Sequence, residues 1–205
     1  VWNGTQSAFW TNSANWSVSP YPSGSSETAF FTNGAVGQAA INLNGLASIK
    51  YITFDAPSVA ATTNGAGAAN SQTLVINDSG EIKLAAAAGN SQTFNCGVQL
   101  GADRSAQSYS FRNENPARTL TLNNIFCPSA GGTAGAKTLT LNGSGTVAIL
   151  GNITTNGTLG LTLTDNINST VVLSGSNSFN TLNINGGANS VLDIGSGYLF
   201  LNNLG

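Results

Sequence analysis

Histidine and charge are what this chain has least of. It contains no histidine in 205 residues, which excludes Ser-His-Asp triads, histidine metal sites and histidine general bases. Only 7% of the residues are charged, and the six basic residues are too scattered to follow a phosphate backbone. Nucleic acid is therefore not an expected partner. Because the formal net charge is only -2, copies of the chain repel one another weakly, and we expect self-association.

Methionine and long apolar runs are also missing. No apolar run reaches the roughly 20 residues that cross a bilayer, so no membrane span is expected. The chain starts at Val1 and contains no Met, which fits a mature product whose signal peptide has been removed. These features predict an extracellular or cell-surface protein.

Cysteine is scarce, since Cys96 and Cys127 are the only two. In an oxidising exterior they permit one disulfide, and two small buried thiols are the alternative. The sequence alone leaves both open. Their spacing matches no metal motif, and we expect neither a metal nor another cofactor.

The carboxylates are dispersed along the chain and suggest no acid-base pair. The nearest two, Asp78 and Glu81, flank Gly80 at a predicted turn, where we expect them to be solvated. The densest charged region is predicted to form ordinary exposed ion pairs: Asp103, Arg104, Arg112, Glu114 and Arg118. No catalytic residues are predicted, and the chain is not expected to be an enzyme.

Short stretches in which apolar residues alternate with Thr or Asn recur along the chain, and this period of two predicts strands. Their leading apolar residues are spaced near 20 positions apart: Leu74, Phe94, Leu120, Leu139, Leu161, Leu182 and Leu199. The segment Asn70-Ser71-Gln72-Thr73 is repeated as Asn90-Ser91-Gln92-Thr93 at an offset of 20. A unit this short buries its apolar face only by stacking on its neighbours.

The sequence therefore predicts an all-β fold, a parallel β-helix (β-solenoid) over residues 36–205 with about eight coils. Predicted turns at Asn142-Gly143, Asn156-Gly157 and Asn185-Gly186 supply residues that tolerate positive φ. Because Asn-Gly is also the strongest hairpin signal, an antiparallel sandwich is the alternative fold.

Aromatic residues concentrate at the start of the chain, and Trp2, Trp10 and Trp16 lead the group. The first coil of a solenoid otherwise exposes its core and its strand edges, so we predict an N-terminal cap over residues 1–35. A platform on which sugars stack is the alternative role of the three Trp side chains.

The order of these motifs resembles the bacterial autotransporter-associated β-strand repeat proteins over nearly the whole chain. The residues that carry the resemblance are Trp2-Asn3-Gly4, Trp10, Asn15-Trp16, Pro22, Ala29-Phe30, Ile49 to Phe54, the Thr-Leu-Thr-Leu-Asn units, Val172 to Phe179 and Leu192 to Gly195. The resemblance implies secreted or surface-displayed β-helical passengers that act as adhesins or surface structures, without shared catalytic residues.

We therefore expect an extracellular structural subunit that assembles with its own copies through the ends of the solenoid into a filament or layer. The strand-like segment Tyr198, Leu199, Phe200 and Leu201 is the predicted assembly edge. An adhesin that binds surface glycans or matrix is one alternative, and a polysaccharide-acting β-helix enzyme is another.

Overall fold

The computed structural model describes residues 1–32, 39–155, 159–188, 190–194 and 198–201. The chain is an all-β parallel solenoid, as predicted. The antiparallel sandwich is wrong, because the strands of the described residues pair in parallel throughout both sheets. One 3₁₀ turn covers Ser13–Asn15.

The strands are short and follow one another along the whole chain. In order they are β1 Thr28–Phe31, β2 Ala40–Ile41, β3 Leu46–Phe54, β4 Thr63–Asn64, β5 Thr73–Leu84, β6 Gln92–Phe94, β7 Gly97–Leu100, β8 Ser108–Asn113, β9 Thr119–Leu122, β10 Ile125–Phe126, β11 Ala136–Gly143, β12 Thr146–Ile149, β13 Ile153–Thr154, β14 Gly160–Ile167, β15 Thr170–Leu173, β16 Ser176–Phe179, β17 Thr181–Ile184, β18 Val191–Asp193 and β19 Tyr198–Leu201.

These strands form three faces that run along the solenoid axis. Face I contains the first halves of β3 and β5, followed by β7, β10, β13, β16 and β19. Face II contains β1, the second halves of β3 and β5, and then β8, β11, β14 and β17. Face III is a separate sheet of β2, β4, β6, β9, β12, β15 and β18. Each full turn therefore visits face III, face I and face II in that order.

The period near twenty residues is wrong. On face II, paired residues of successive turns are offset by between 19 residues (Leu163 and Leu182) and 30 residues (Tyr109 and Leu139). Longer turns mean fewer of them, and in the described part of the chain each face contains seven strands where about eight coils were predicted.

The repeated sequence units predicted the wrong period because successive units lie on different faces of the solenoid. Leu74 lies on face I, Phe94 and Leu120 on face III, and Leu139 on face II. The repeated tetrapeptide likewise overlaps the start of strands on two different faces, β5 from Thr73 and β6 from Gln92. Any face of a solenoid accepts a short alternation of Thr and Leu, so resemblance between units does not show which units stack.

The core consists of columns of apolar side chains, one from each turn. Ile52, Ile82, Phe111 and Leu141 are paired in successive strands of face II, and all four are fully buried. Burying a side chain of this size contributes roughly 1.5–3 kcal/mol. Because each turn covers the previous one, the columns join into one continuous core.

The N-terminal segment closes the first turn. Trp16 makes edge-to-face contacts with Trp2 and Trp10 at centroid distances of 5.0 and 4.9 Å, and Phe31 packs beneath all three. Strand β1 lies within the segment predicted as cap, yet it pairs with β3 as part of face II. We therefore place the cap at residues 1–27; residues 33–35 of the predicted segment lie outside the described residues.

The cap also bonds to the strand edges of all three faces. The Trp2 amide donates to Phe30 O on face II at 2.8 Å, the Trp10 amide to Asn42 O beside face III at 2.8 Å, and the Gly24 amide to Ser48 O on face I at 2.9 Å. These bonds occupy acceptors that an incoming strand would otherwise use.

Candidate binding face

The three Trp side chains do not form a sugar-stacking platform. Trp2, Trp10 and Trp16 are 1%, 0% and 5% exposed. The indole of Trp10 donates to Pro22 O at 2.9 Å, and that of Trp16 donates to Trp10 O at 2.7 Å. A ring that is buried and held by the cap backbone offers no face to a sugar.

The two cysteines form no disulfide and are both buried. Cys96 precedes β7, and Phe126, the neighbour of Cys127, pairs with Gln99. Cys127 follows Phe126 and so lies beyond the level of Gln99, and three residues of extended chain, about 10 Å, separate Gln99 from Cys96. The two cysteines are therefore too far apart for a disulfide. Burial raises the pKa of the Cys96 thiol to about 12, so this thiol stays protonated and inert.

The predicted carboxylate pair is divided between two separate interactions. Asp78 accepts a hydrogen bond from the Tyr109 hydroxyl at 3.2 Å, whereas Glu81 lies 3.9 Å from Arg112. The two side chains are therefore not arranged as an acid and a base around one reacting bond.

The predicted charged cluster forms only in part. Arg112 pairs with Glu114, and Lys83, which the sequence did not place there, lies 3.1 Å from Glu114. Asp103 instead accepts hydrogen bonds from Ser105, and Arg104 donates to the carbonyls of Gly131 and Gly132. The ion pairs are partly exposed, so each contributes about 1 kcal/mol or less.

The outer side of face II carries an ordered array of polar side chains. In four neighbouring strands, β8, β11, β14 and β17, most inward residues are apolar, and most outward residues carry hydroxyl or amide groups. The outward pairs are in register: Ser108 and Ser110, Thr138 and Thr140, Thr162 and Thr164, Thr181 and Asn183. Strand spacing repeats this pattern about every 4.8 Å along the axis.

A ladder of asparagines borders this array. The amide of Asn185 donates to Asn166 Oδ1 at 3.2 Å, and Asn166 donates to Asn142 Oδ1 at 3.2 Å. Asn142 in turn donates to Ser110 Oγ at 3.0 Å. Because each amide uses one donor within the ladder, its remaining donor can bind water or a ligand.

A groove of about 540 Å³ crosses face II where β5 turns away from face I. Between Ile49 and Tyr51 the register of β3 against β5 shifts, because β5 inserts Asn77 to Gly80 at this corner. Ser79 there adopts φ 57°. The floor and sides of the groove are formed by strands β3, β5, β8, β11 and β14, with the side chains Tyr51, Glu81, Ser110, Thr140, Asn142 and Asn166.

A buried polar cluster lies beneath this face, and sequence reasoning missed it. Lys137 is 0% exposed; its ammonium donates to Ser105 O at 2.8 Å and lies 3.4 Å from the Tyr109 hydroxyl. Burial lowers the pKa of Lys137 and, together with Asp78, raises the pKa of Tyr109. The signal was present, since Lys137 has the same strand parity as Leu139 and Leu141 and therefore points inward.

The predicted assembly edge forms strand β19, which pairs with β16 on face I. The pairing runs from Tyr198 opposite Ser176 to Leu201 opposite Phe179. The side chains of Tyr198, Leu199, Phe200 and Leu201 lie outside the described residues, as does the predicted turn Asn156-Gly157. Assembly through this edge remains a prediction.

The part of the chain that the structure describes contains no apolar helix of membrane-spanning length, and it brings no three Cys, Asp or Glu side chains together as a metal-binding group. Comparisons with known protein families, curated proteins and solved structures find no match.

Proposed function

We propose that this chain is an extracellular, non-enzymatic β-solenoid that works as a structural element and associates with its own copies. The observation that carries the proposal is the continuous core, in which each turn packs on the next from the aromatic cap to Phe179. Such a stack resists bending, because every contact along the axis is repeated in the next turn. A stiff, slender body suits a surface layer or filament.

The extracellular location is supported by composition. Few charges and many amides and hydroxyls match the resemblance to autotransporter-associated β-strand repeat proteins, which implies surface display. Membership in that family is part of this proposal. Cell fractionation of the source organism with an antibody to the chain tests the location, and a purely cytosolic signal contradicts it.

Face III is the surface best suited to association between copies. The outward side chains of β9, β12 and β15 are small and uncharged: Thr119, Thr121, Thr146, Ala148, Thr170 and Val172. Two such sheets pack face to face at about 10 Å without leaving a charge buried between them. Association through the N-terminal end is disfavoured, since the cap already bonds to the strand edges there.

Sedimentation velocity over a range of protein concentrations tests this proposal. We expect the wild type to associate equally at low and high salt, because no charges lie between the copies. The double variant Thr121→Lys, Val172→Lys places two ammonium groups on face III and is expected to stay monomeric. The matched control Thr162→Lys, on face II, is expected to associate like the wild type. A wild type that stays monomeric at every concentration contradicts the proposal.

An adhesive role is the second candidate, and the groove on face II favours it. The polysaccharide-acting enzyme is the weakest of the predicted functions, because Asp78 and Glu81, the nearest carboxylates in the sequence, are engaged with Tyr109 and Arg112.

A further inference from the structure

We infer that the groove on face II is a binding site for an extended, neutral polysaccharide. This inference rests on the proposed extracellular location but not on self-association, which uses face III. The groove crosses five strands, from Tyr51 on β3 to Asn166 on β14. Four strand spacings are about 19 Å, which is longer than a single sugar ring and suits a short stretch of a polymer.

The groove repeats along its length as a polysaccharide does. Tyr51, Glu81, Ser110 and Thr140 are paired in register on successive strands, so each turn presents one outward side chain to the groove. A polymer of identical rings can place one ring against each strand and meet a comparable polar group every time. A compact ligand gains nothing from such a repeat.

The lining has the chemistry that sugar hydroxyls require. Ser110 and Thr140 both donate and accept hydrogen bonds, and Asn142 and Asn166 add amide groups at the same side. Tyr51 is half-buried at one end of the groove, where its ring offers apolar area to the C–H face of a sugar. Lys50 lies 5.3 Å from the ring centroid and helps to fix the orientation of the ring.

The carboxylate of Glu81 disfavours an anionic ligand along the groove, whereas the Lys50 ammonium lies beside Tyr51 at one end. Glu81 is the carboxylate among the lining residues, and Arg112 lies 3.9 Å from it. A uronate or phosphate in the groove would meet Glu81 directly, at a cost from like-charge repulsion. A neutral sugar can accept hydrogen bonds from Arg112 and donate to Glu81 without that cost.

Affinity electrophoresis tests the inference with the intact chain. Native gels contain a β-1,3-glucan, a galactomannan or a xylan, and comparison gels contain anionic polygalacturonate or no polysaccharide. We expect at least one neutral polymer to slow the wild type and polygalacturonate to leave its migration unchanged. Failure of all three neutral polymers to retard the wild type, or stronger retardation by polygalacturonate, overturns the inference.

Variants locate the site. Tyr51→Ala is expected to weaken binding of the retarding polymer about tenfold, and Thr140→Val, which removes a hydroxyl and keeps the shape, about threefold. Thr162→Val lies on the same face outside the groove and is expected to bind like the wild type. If Tyr51→Ala does not fold, binding by Thr140→Val serves as the test. A folded groove variant that binds the polymer as tightly as the wild type overturns the inference.

The same gels separate this inference from the proposed structural role. The face III variant Thr121→Lys, Val172→Lys is expected to lose association and keep polysaccharide binding. Loss of self-association on replacing Thr140, with no retardation by any sugar polymer, would instead assign the groove to a second copy of the chain and overturn the inference.

Discussion

The two ends of the described solenoid are built differently. At the N-terminal end three Trp side chains are at most 5% exposed, and the cap bonds to the strand edges of every face. In the last described turns Ile184 is 54% exposed. Ile184 is paired with Asp165 in an inward column, and among the described strands none pairs with the other side of β17. Burial in a solenoid is thus a property of stacking and not of residue type.

Truncating a buried Trp of the cap should lower the free energy of unfolding more than any other change considered. Trp10→Ala leaves a cavity among Trp16, Phe31 and the first turn, and we expect it to lower the free energy of unfolding by about 3–5 kcal/mol. Urea denaturation followed by circular dichroism measures the loss. Phe30→Ala in the same region is the control, because Phe30 is 42% exposed and its truncation should cost little.

Two paired leucines offer a comparison within one column. Leu163 is fully buried, and Leu182, its partner on the next strand, is only partly buried. We expect Leu163→Ala to cost about 2–5 kcal/mol and Leu182→Ala about 1 kcal/mol. The same denaturation measurement decides, and equal losses would show that the last turn is covered as well as the middle ones.

The smallest expected effect concerns Asp165, a carboxylate in an inward column between Leu141 and Ile184. Burial raises the pKa of this carboxyl, although the Ile167 amide donates to its Oδ1 at 2.8 Å. Within the described part of the chain its Oδ2 has no hydrogen-bond partner. The folded state therefore binds this proton more tightly than the unfolded state.

Stability should consequently fall as pH rises from the unfolded pKa of about 3.9 through the raised folded value. Asp165→Asn is expected to remove this slope and to raise the free energy of unfolding at pH 7 on the order of 1 kcal/mol. Asp55→Asn, at an exposed position, is the control. A variant as pH-dependent as the wild type would refute the assignment to Asp165.

Alternation of residue types was sufficient to predict the parallel solenoid and the role of the aromatic segment. It was insufficient for the register, because Thr-Leu alternation is equally acceptable on each face, and the true offsets vary with the corner insertions. One such insertion, Asn77 to Gly80, also shapes the groove. No local pattern shows that Tyr51, Glu81 and Ser110 come together, since their proximity depends on which turns stack.

The burial of Lys137, in contrast, could have been predicted from a local pattern in the sequence. Its strand parity placed it inside, but composition alone favours exposed lysines. Its ammonium is accommodated because the 101–107 segment brings the Ser105 carbonyl to it. A rule that weighs parity above residue type would have found it.

Hydrogen exchange measured by mass spectrometry tests the central claim, a solenoid sealed at its N-terminal end and less protected in its last described turns. We predict that amides of residues 2–16, most of which donate hydrogen bonds within the cap, exchange as slowly as those of residues 108–149. We predict that amides of residues 181–194 exchange markedly faster. Faster exchange in residues 2–16 than in residues 181–194 would contradict the account.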